Sequence, residues 1–167
     1  VPDYLKTKLL IIEVRNRLKT GLSFNPKIVE KGSLAHWVGR PDPLSQCPAI
    51  FVEPIVTDPE PVDAGNTVRS TLQLRVLYVD TWDEELDADV IGKKTDRGSE
   101  IWSRLAGDTG EDWYLGGATV PGFQFDQAAV PAEIEWVPEE QDIVSREESR
   151  RLYAVAINVT INGRVTR

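Results

Sequence analysis

The chain is poor in the residues that most often carry catalysis. Its 167 residues include one cysteine, Cys47, and one histidine, His36. A lone cysteine excludes an intramolecular disulfide and fits a reducing compartment. A lone histidine excludes a multi-histidine metal site, and a Ser-His-Asp relay must use His36 or do without it. Apolar runs are short, as in the four residues Leu9–Ile12, against the roughly 20 that span a bilayer. No transmembrane helix is expected. No basic-then-apolar leader is expected either, and Val1 at the start suggests a short missing beginning. Positive charge is scarce too: 19 Lys and Arg against 27 Asp and Glu give a net charge of −8. That balance argues against a sequence-specific nucleic-acid binder, which neutralises phosphates with a basic surface. It is compatible with a protein that DNA merely passes.

What is present is ordinary globular material, 41% hydrophobic and 28% charged, close to the usual averages. The length suits a single domain over residues 1–167. Such a chain buries roughly 70% of its unfolded surface and needs neither disulfide nor metal to hold a core.

Hydrophobic periodicity divides the chain into six elements. Residues 3–22 read as a helix, with Asp3 as N-cap, Leu5, Leu9 and Ile12 at three- and four-residue spacing, and Gly21 as the left-handed residue that ends it. Residues 49–56 read as a short strand in which Pro54 demands an edge position or a bulge. Residues 69–79 alternate as a strand, and Leu77 and Val79 make its far end apolar on both faces, as expected where something covers it. Thr81-Trp82-Asp83-Glu84 fits a capping box that opens a second helix running to about Leu105, with Gly92 and Gly98 as places for a kink. Strands at 130–137 and 150–162 close the chain. In the last, Tyr153, Val155, Ile157, Val159 and Ile161 share one face; small residues at 154, 156, 158 and 160 leave room for a helix on the other. Grouped strands without βαβ alternation predict an α+β domain: a four-stranded antiparallel sheet with two helices packed on it, in the order α-β-β-α-β-β. Long loops are expected at about 23–48, 107–129 and 138–149, with one helical turn near 34–38.

No catalytic signature emerges from the candidate clusters. Asp80, Asp83, Glu84, Glu85, Asp87 and Asp89 are oxygen-rich enough for Mg²⁺ or Ca²⁺, yet lack the glycine and terminal Glu of an EF-hand loop. Acidic residues at a helix start are also what the helix dipole favours. Glu133 and Glu135 fall on one side of a strand, as a glycosidase pair would, or as a wet sheet face does. Ser33 and Ser45 form no nucleophile motif with His36, and Gly116-Gly117 lacks the Lys and Ser/Thr of a phosphate loop. No cofactor or metal is expected, and the chain reads as a non-enzyme.

The loops, by contrast, are rich in aromatics. Trp37, Trp113, Tyr114, Phe123 and Phe125 stand on Gly/Pro-rich segments, where they serve either a partner's surface or a cover over the chain's own core. Arg150 and Arg151 are candidates to pair across a subunit boundary with Glu139–Glu140 or with the carboxylates at 83–85.

The arrangement resembles the tail-terminator (tail-completion) proteins of long-tailed bacteriophages. It is carried by the helix 5–18, the strand 72–79 followed by the helix 86–105, and the closing strand 152–161. The excursion at 23–48 is larger than that family leads one to expect. The resemblance implies a structural virion protein of the neck, assembled in the host bacterial cytoplasm. A homohexameric ring would sit on the last ring of tail-tube protein, stop tube polymerisation, and meet the head-completion or connector protein on its other face. Genomic DNA would pass the lumen without specific binding, and no membrane is involved. Alternatives are another neck component, such as a head-closure or tail-tube-like protein, and a metal-dependent enzyme using the carboxylates at 80–89.

Overall fold

Two long strands form the spine of the molecule. The computed structural model describes residues 6–30, 48–61, 67–83, 90–106, 118–126, 132–137, 143–144 and 150–166. Within these, α1 (Thr7–Leu18) is followed by β1 (Lys27–Val29), β2 (Ala49–Pro61) and β3 (Thr67–Asp83). Then come α2 (Val90–Ala106), β4 (Phe123–Phe125), β5 (Ala132–Val137), β6 (Ile143–Val144) and β7 (Arg150–Thr166). β3 and β7 are antiparallel partners along their whole length, from Thr67 opposite Thr166 to Asp83 opposite Arg150. At about 3.3 Å per residue, 17 residues make a platform about 55 Å long.

The α+β class is as expected, but the sheet is larger and mixed. Its order is β1-β2-β3-β7-β4, with β5 and β6 also on β7. β4, β5 and β6 lie end to end along one edge of β7, at Gly163–Val165, Ala156–Ile161 and Arg151–Leu152. β1 runs parallel to β2, with Lys27 opposite Ala49 and Val29 opposite Phe51. An all-antiparallel sheet of four strands is therefore corrected: the supposed loops at 23–48, 107–129 and 138–149 each contribute a strand of two or three residues. Such strands are too short to show a period and exist because a long neighbour offers its edge.

Thr81, Trp82 and Asp83 continue β3 opposite Leu152, Arg151 and Arg150. They are not the capping box of α2. Trp82 and Asp83 are extended in the β3–β7 ladder, where the first two residues after an N-cap would have to be helical. α2 runs unbroken through Gly92 and Gly98, and Gly98 is buried. The turn expected near 34–38, together with His36, Cys47, Ser33 and Ser45, lies outside the described residues.

β2 accommodates its prolines through a bulge, as Pro54 required. The register slips between Pro54, opposite Leu74, and Val56, opposite Gln73. Lys27 N–H donates to the Pro48 carbonyl at 2.8 Å, so even-numbered residues of β2 aim their backbone groups away from β3 before the bulge. One inserted residue inverts that parity. Pro54, Pro59 and Pro61 then all turn their missing N–H outward, and no β2–β3 ladder bond is lost.

Both helices pack on one face of the sheet. Leu10, Val14 and Leu18 of α1 and Ile101 and Leu105 of α2 are fully buried against Ile50, Val52, Leu72, Leu74, Val76 and Tyr78. Val155, Ile157, Val159 and Ile161 complete this core from β7. The helices therefore cover the large apolar face of β7 and not the side of small residues, because burying Val and Ile outweighs easier approach. Opposite, Ala49, Phe51, Leu77, Val79 and Ala156 are also buried, as the apolar far end of β3 led one to expect.

Candidate interaction surface

α1 is held to α2 by a reciprocal pair of arginines. Arg17 Nε donates to the Arg104 carbonyl at 3.0 Å, and Arg104 Nε donates to the Arg17 and Thr20 carbonyls at 2.9 and 2.7 Å. Each guanidinium thus satisfies the last turn of the other helix, where unpaired carbonyls concentrate negative partial charge. Gly21 makes the crossing possible: its φ is +81°, and a Cβ there would stand 2.6 Å from the Arg104 guanidinium. Its left-handed conformation is the one its position after the helix predicts.

The same face of α2 fastens the chain after α1. Ser23 donates its backbone N–H to one Glu100 carboxylate oxygen and its hydroxyl to the other, at 2.9 Å for the hydroxyl. Arg97 donates to Ser23 Oγ at 3.2 Å and lies 4.1 Å over the Phe24 ring. Phe24 meets Tyr78 edge-on at 5.4 Å, and the Tyr78 hydroxyl donates to Asp80 at 2.7 Å. Arg97, Glu100 and Arg104 recur at three- and four-residue spacing, so one stripe of α2 does all of this. Their spacing was visible in the sequence; their target, a loop about 75 to 85 residues earlier, was not.

The aromatics expected at an interface separate into two groups. Trp37, Trp113 and Tyr114 lie outside the described residues. Phe123 and Phe125 serve the chain's own fold. Val120-Pro121-Gly122-Phe123 turns tightly, with Phe123 N–H on the Val120 carbonyl at 3.0 Å and Gly122 at φ +75°, the type II pattern. That turn lays Phe123 over the core at 8% exposure, 5.0 Å from Phe125, which is half-buried. Removing both rings therefore strikes the fold itself, and of the two roles open to these aromatics Phe123 and Phe125 take that of a cover over the chain's own core. Arg150 and Arg151 lie in β7 opposite Asp83 and Trp82 of the same chain.

Of the carboxylates at 80–89, Asp80 and Asp83 belong to β3, and the other four lie outside the described residues. Among the described residues no three His, Cys, Asp or Glu gather as a cation site. Glu133 and Glu135 stand in β5 opposite Thr160 and Asn158. Among the described residues no helix is long and apolar enough to cross a membrane.

The exposed large apolar side chains among the described residues are Leu9, Ile12, Ile55 and Trp102. Two of the four fall on α1, on the side away from the sheet. Leu9 and Ile12 were the expected core stripe; Leu10, Val14 and Leu18 occupy that role instead. The run Leu9–Ile12 offers apolar residues to both sides of the helix, and contact with β2 selects one. α1 begins at Thr7, with Lys6 as its N-cap at φ 59° and no side-chain cap, so Asp3 does not hold that position.

No protein-family model matches this chain, and no curated protein matches it.

Proposed function

We propose that this protein is a structural subunit of the neck of a long-tailed bacteriophage, a tail terminator. Copies form a ring on the end of the tail tube, halt its growth, and join it to the head connector. The order of α1, the β2–β3 pair, α2 and a long closing β7 is the observation that carries the reading. It supplies what a ring subunit needs: a rigid sheet with both helices on one face, and an outer helix surface that retains apolar groups. No bond is made or broken in this role; the work lies in shape and charge. A net charge of −8 per copy, multiplied around a ring, biases a lumen negative, so that DNA slides through without adhering.

The test is addition of the purified protein to tubes polymerised from the tail-tube protein of the same virion. Expected is binding at one tube end and arrest of further growth, seen by electron microscopy. Tubes that elongate at an unchanged rate, with no density at their ends, refute the reading.

A further inference from the structure

α1 carries more apolar surface than its own fold consumes. Leu9 and Ile12 remain 37% and 44% exposed while Leu10, Val14 and Leu18 are completely covered. On a helix of 3.6 residues per turn, Lys8, Ile12, Arg15 and Lys19 form one outward ridge, with Leu9 and Asn16 beside it. Lys8, Ile12, Asn16 and Lys19 are exposed, and Arg15 is half-buried with no hydrogen-bond partner at Nε among the described residues.

The segment that carries this ridge is opposite in charge to the rest of the chain, and Lys8, Arg15 and Lys19 are the cations on the ridge itself. From Lys6 to Lys19 there are five Lys or Arg and one Glu, a local +4, which leaves −12 for the remainder of a chain whose net charge is −8. Two copies approaching at random repel each other, and α1 is where that repulsion reverses. Lys8 and Arg15 lie one turn to either side of Ile12 on the ridge as steering charges, and Lys19, which pairs with Glu30 at 3.2 Å, lies beyond them.

We infer that the outward ridge of α1 docks on an acidic surface of a second copy of this chain. Leu9 and Ile12 supply the dehydrated centre of the contact, and the cations around them fix the direction of approach. Where one copy lends only its helix and the other only its acidic surface, the contact is heterologous, the kind that runs head to tail and forms a ring when its rotation closes. The inference rests on the ring reading above and names one side of its subunit contact.

The test is sedimentation velocity of the full chain across a concentration series at low and high salt. It compares wild type with Leu9→Ser/Ile12→Ser and with Lys8→Glu, each checked for an unchanged melting temperature. Expected is self-association of the wild type that weakens with salt, and a loss of at least about tenfold in association in each variant. A wild type that stays monomeric throughout overturns the inference. Variants that associate like the wild type also overturn it, while the ring reading then stands with another contact surface. A duplex DNA probe retained by wild type and lost by Lys8→Glu, without self-association, assigns the ridge to nucleic acid and overturns it likewise. Association as expected together with failure to bind tube ends leaves the contact standing and removes the virion reading.

Discussion

Gly163 and Phe123 should be energetically inseparable. A Cβ at Gly163 would collide with two ring atoms of Phe123 and stand 2.6 Å from the Gln124 carbonyl, because β4 pairs there with Phe125 opposite Gly163. The Gly163 backbone is not left-handed, so alanine brings no conformational strain, and glycine in a strand is otherwise mildly unfavourable. Its cost is therefore all collision, about 2 kcal/mol as for other overpacked sites. Phe123→Ala removes a ring that is 8% exposed, at about 3–5 kcal/mol, with about 1 kcal/mol more for the edge-on pair with Phe125. In the double variant the alanine at 163 enters space that the ring has vacated. The two losses should then fall short of additivity by about 1–2 kcal/mol. Urea unfolding followed by tryptophan fluorescence measures this directly, since about 2 kcal/mol corresponds to a midpoint shift near 1 M at ordinary slopes. Strict additivity, or a Phe123→Ala variant as stable as wild type, refutes the placement of β4 over the core.

Other substitutions probe features that are separate from this one. Ser70 is 1% exposed, and its hydroxyl has no hydrogen-bond partner among the described residues, so Ser70→Ala should be neutral or stabilising by up to about 1 kcal/mol in thermal unfolding. Arg104→Ala should cost about 2–3 kcal/mol, because it strips donors from the Arg17 and Thr20 carbonyls, and faster hydrogen exchange at residues 15–20 should report the loosened end of α1. Gly21→Ala should cost about 1–2 kcal/mol from φ +81°, with Arg104 displaced as well; a cost no larger than at an exposed helix position removes the arginine crossing from the account. Deleting Ile55 should cost little, within about 1 kcal/mol, because Val56 then follows Pro54 in regular alternation and Pro59 and Pro61 still turn away from β3; a loss of several kcal/mol in thermal unfolding refutes the parity argument.

The sequence made some of this legible, and the reasons differ from element to element. Pro54 announced a bulge because a missing N–H has few places to go. Gly21 announced the end of α1 because a left-handed residue after a helix is nearly always glycine or asparagine. Leu77 and Val79 showed that the sheet was covered on both sides at one end. The core face of α1 was not decidable locally, because Leu9–Ile12 satisfies two stripes at once. Thr81-Trp82-Asp83-Glu84 carries a capping signature, yet β-branched and aromatic residues are also good strand formers, and a 17-residue partner outweighed a cap. The clasp between Arg17 and Arg104 lies beyond any reading of spacing, since it joins two helices far apart in sequence. Of the proposed contact surface, the basic and apolar character of α1 was readable. Which side of the helix faces outward was not.

The position of β7 in the chain governs how the protein is made. β3, β4, β5 and β6 all leave the ribosome before the strand that they flank. Until its synthesis, β3 has β2 on one side and an unoccupied edge on the other, and the apolar residues of β4 and β5 have no template. Completion of the sheet must therefore await translation of β7, and nascent intermediates with adhesive edges are the natural clients of ribosome-associated chaperones.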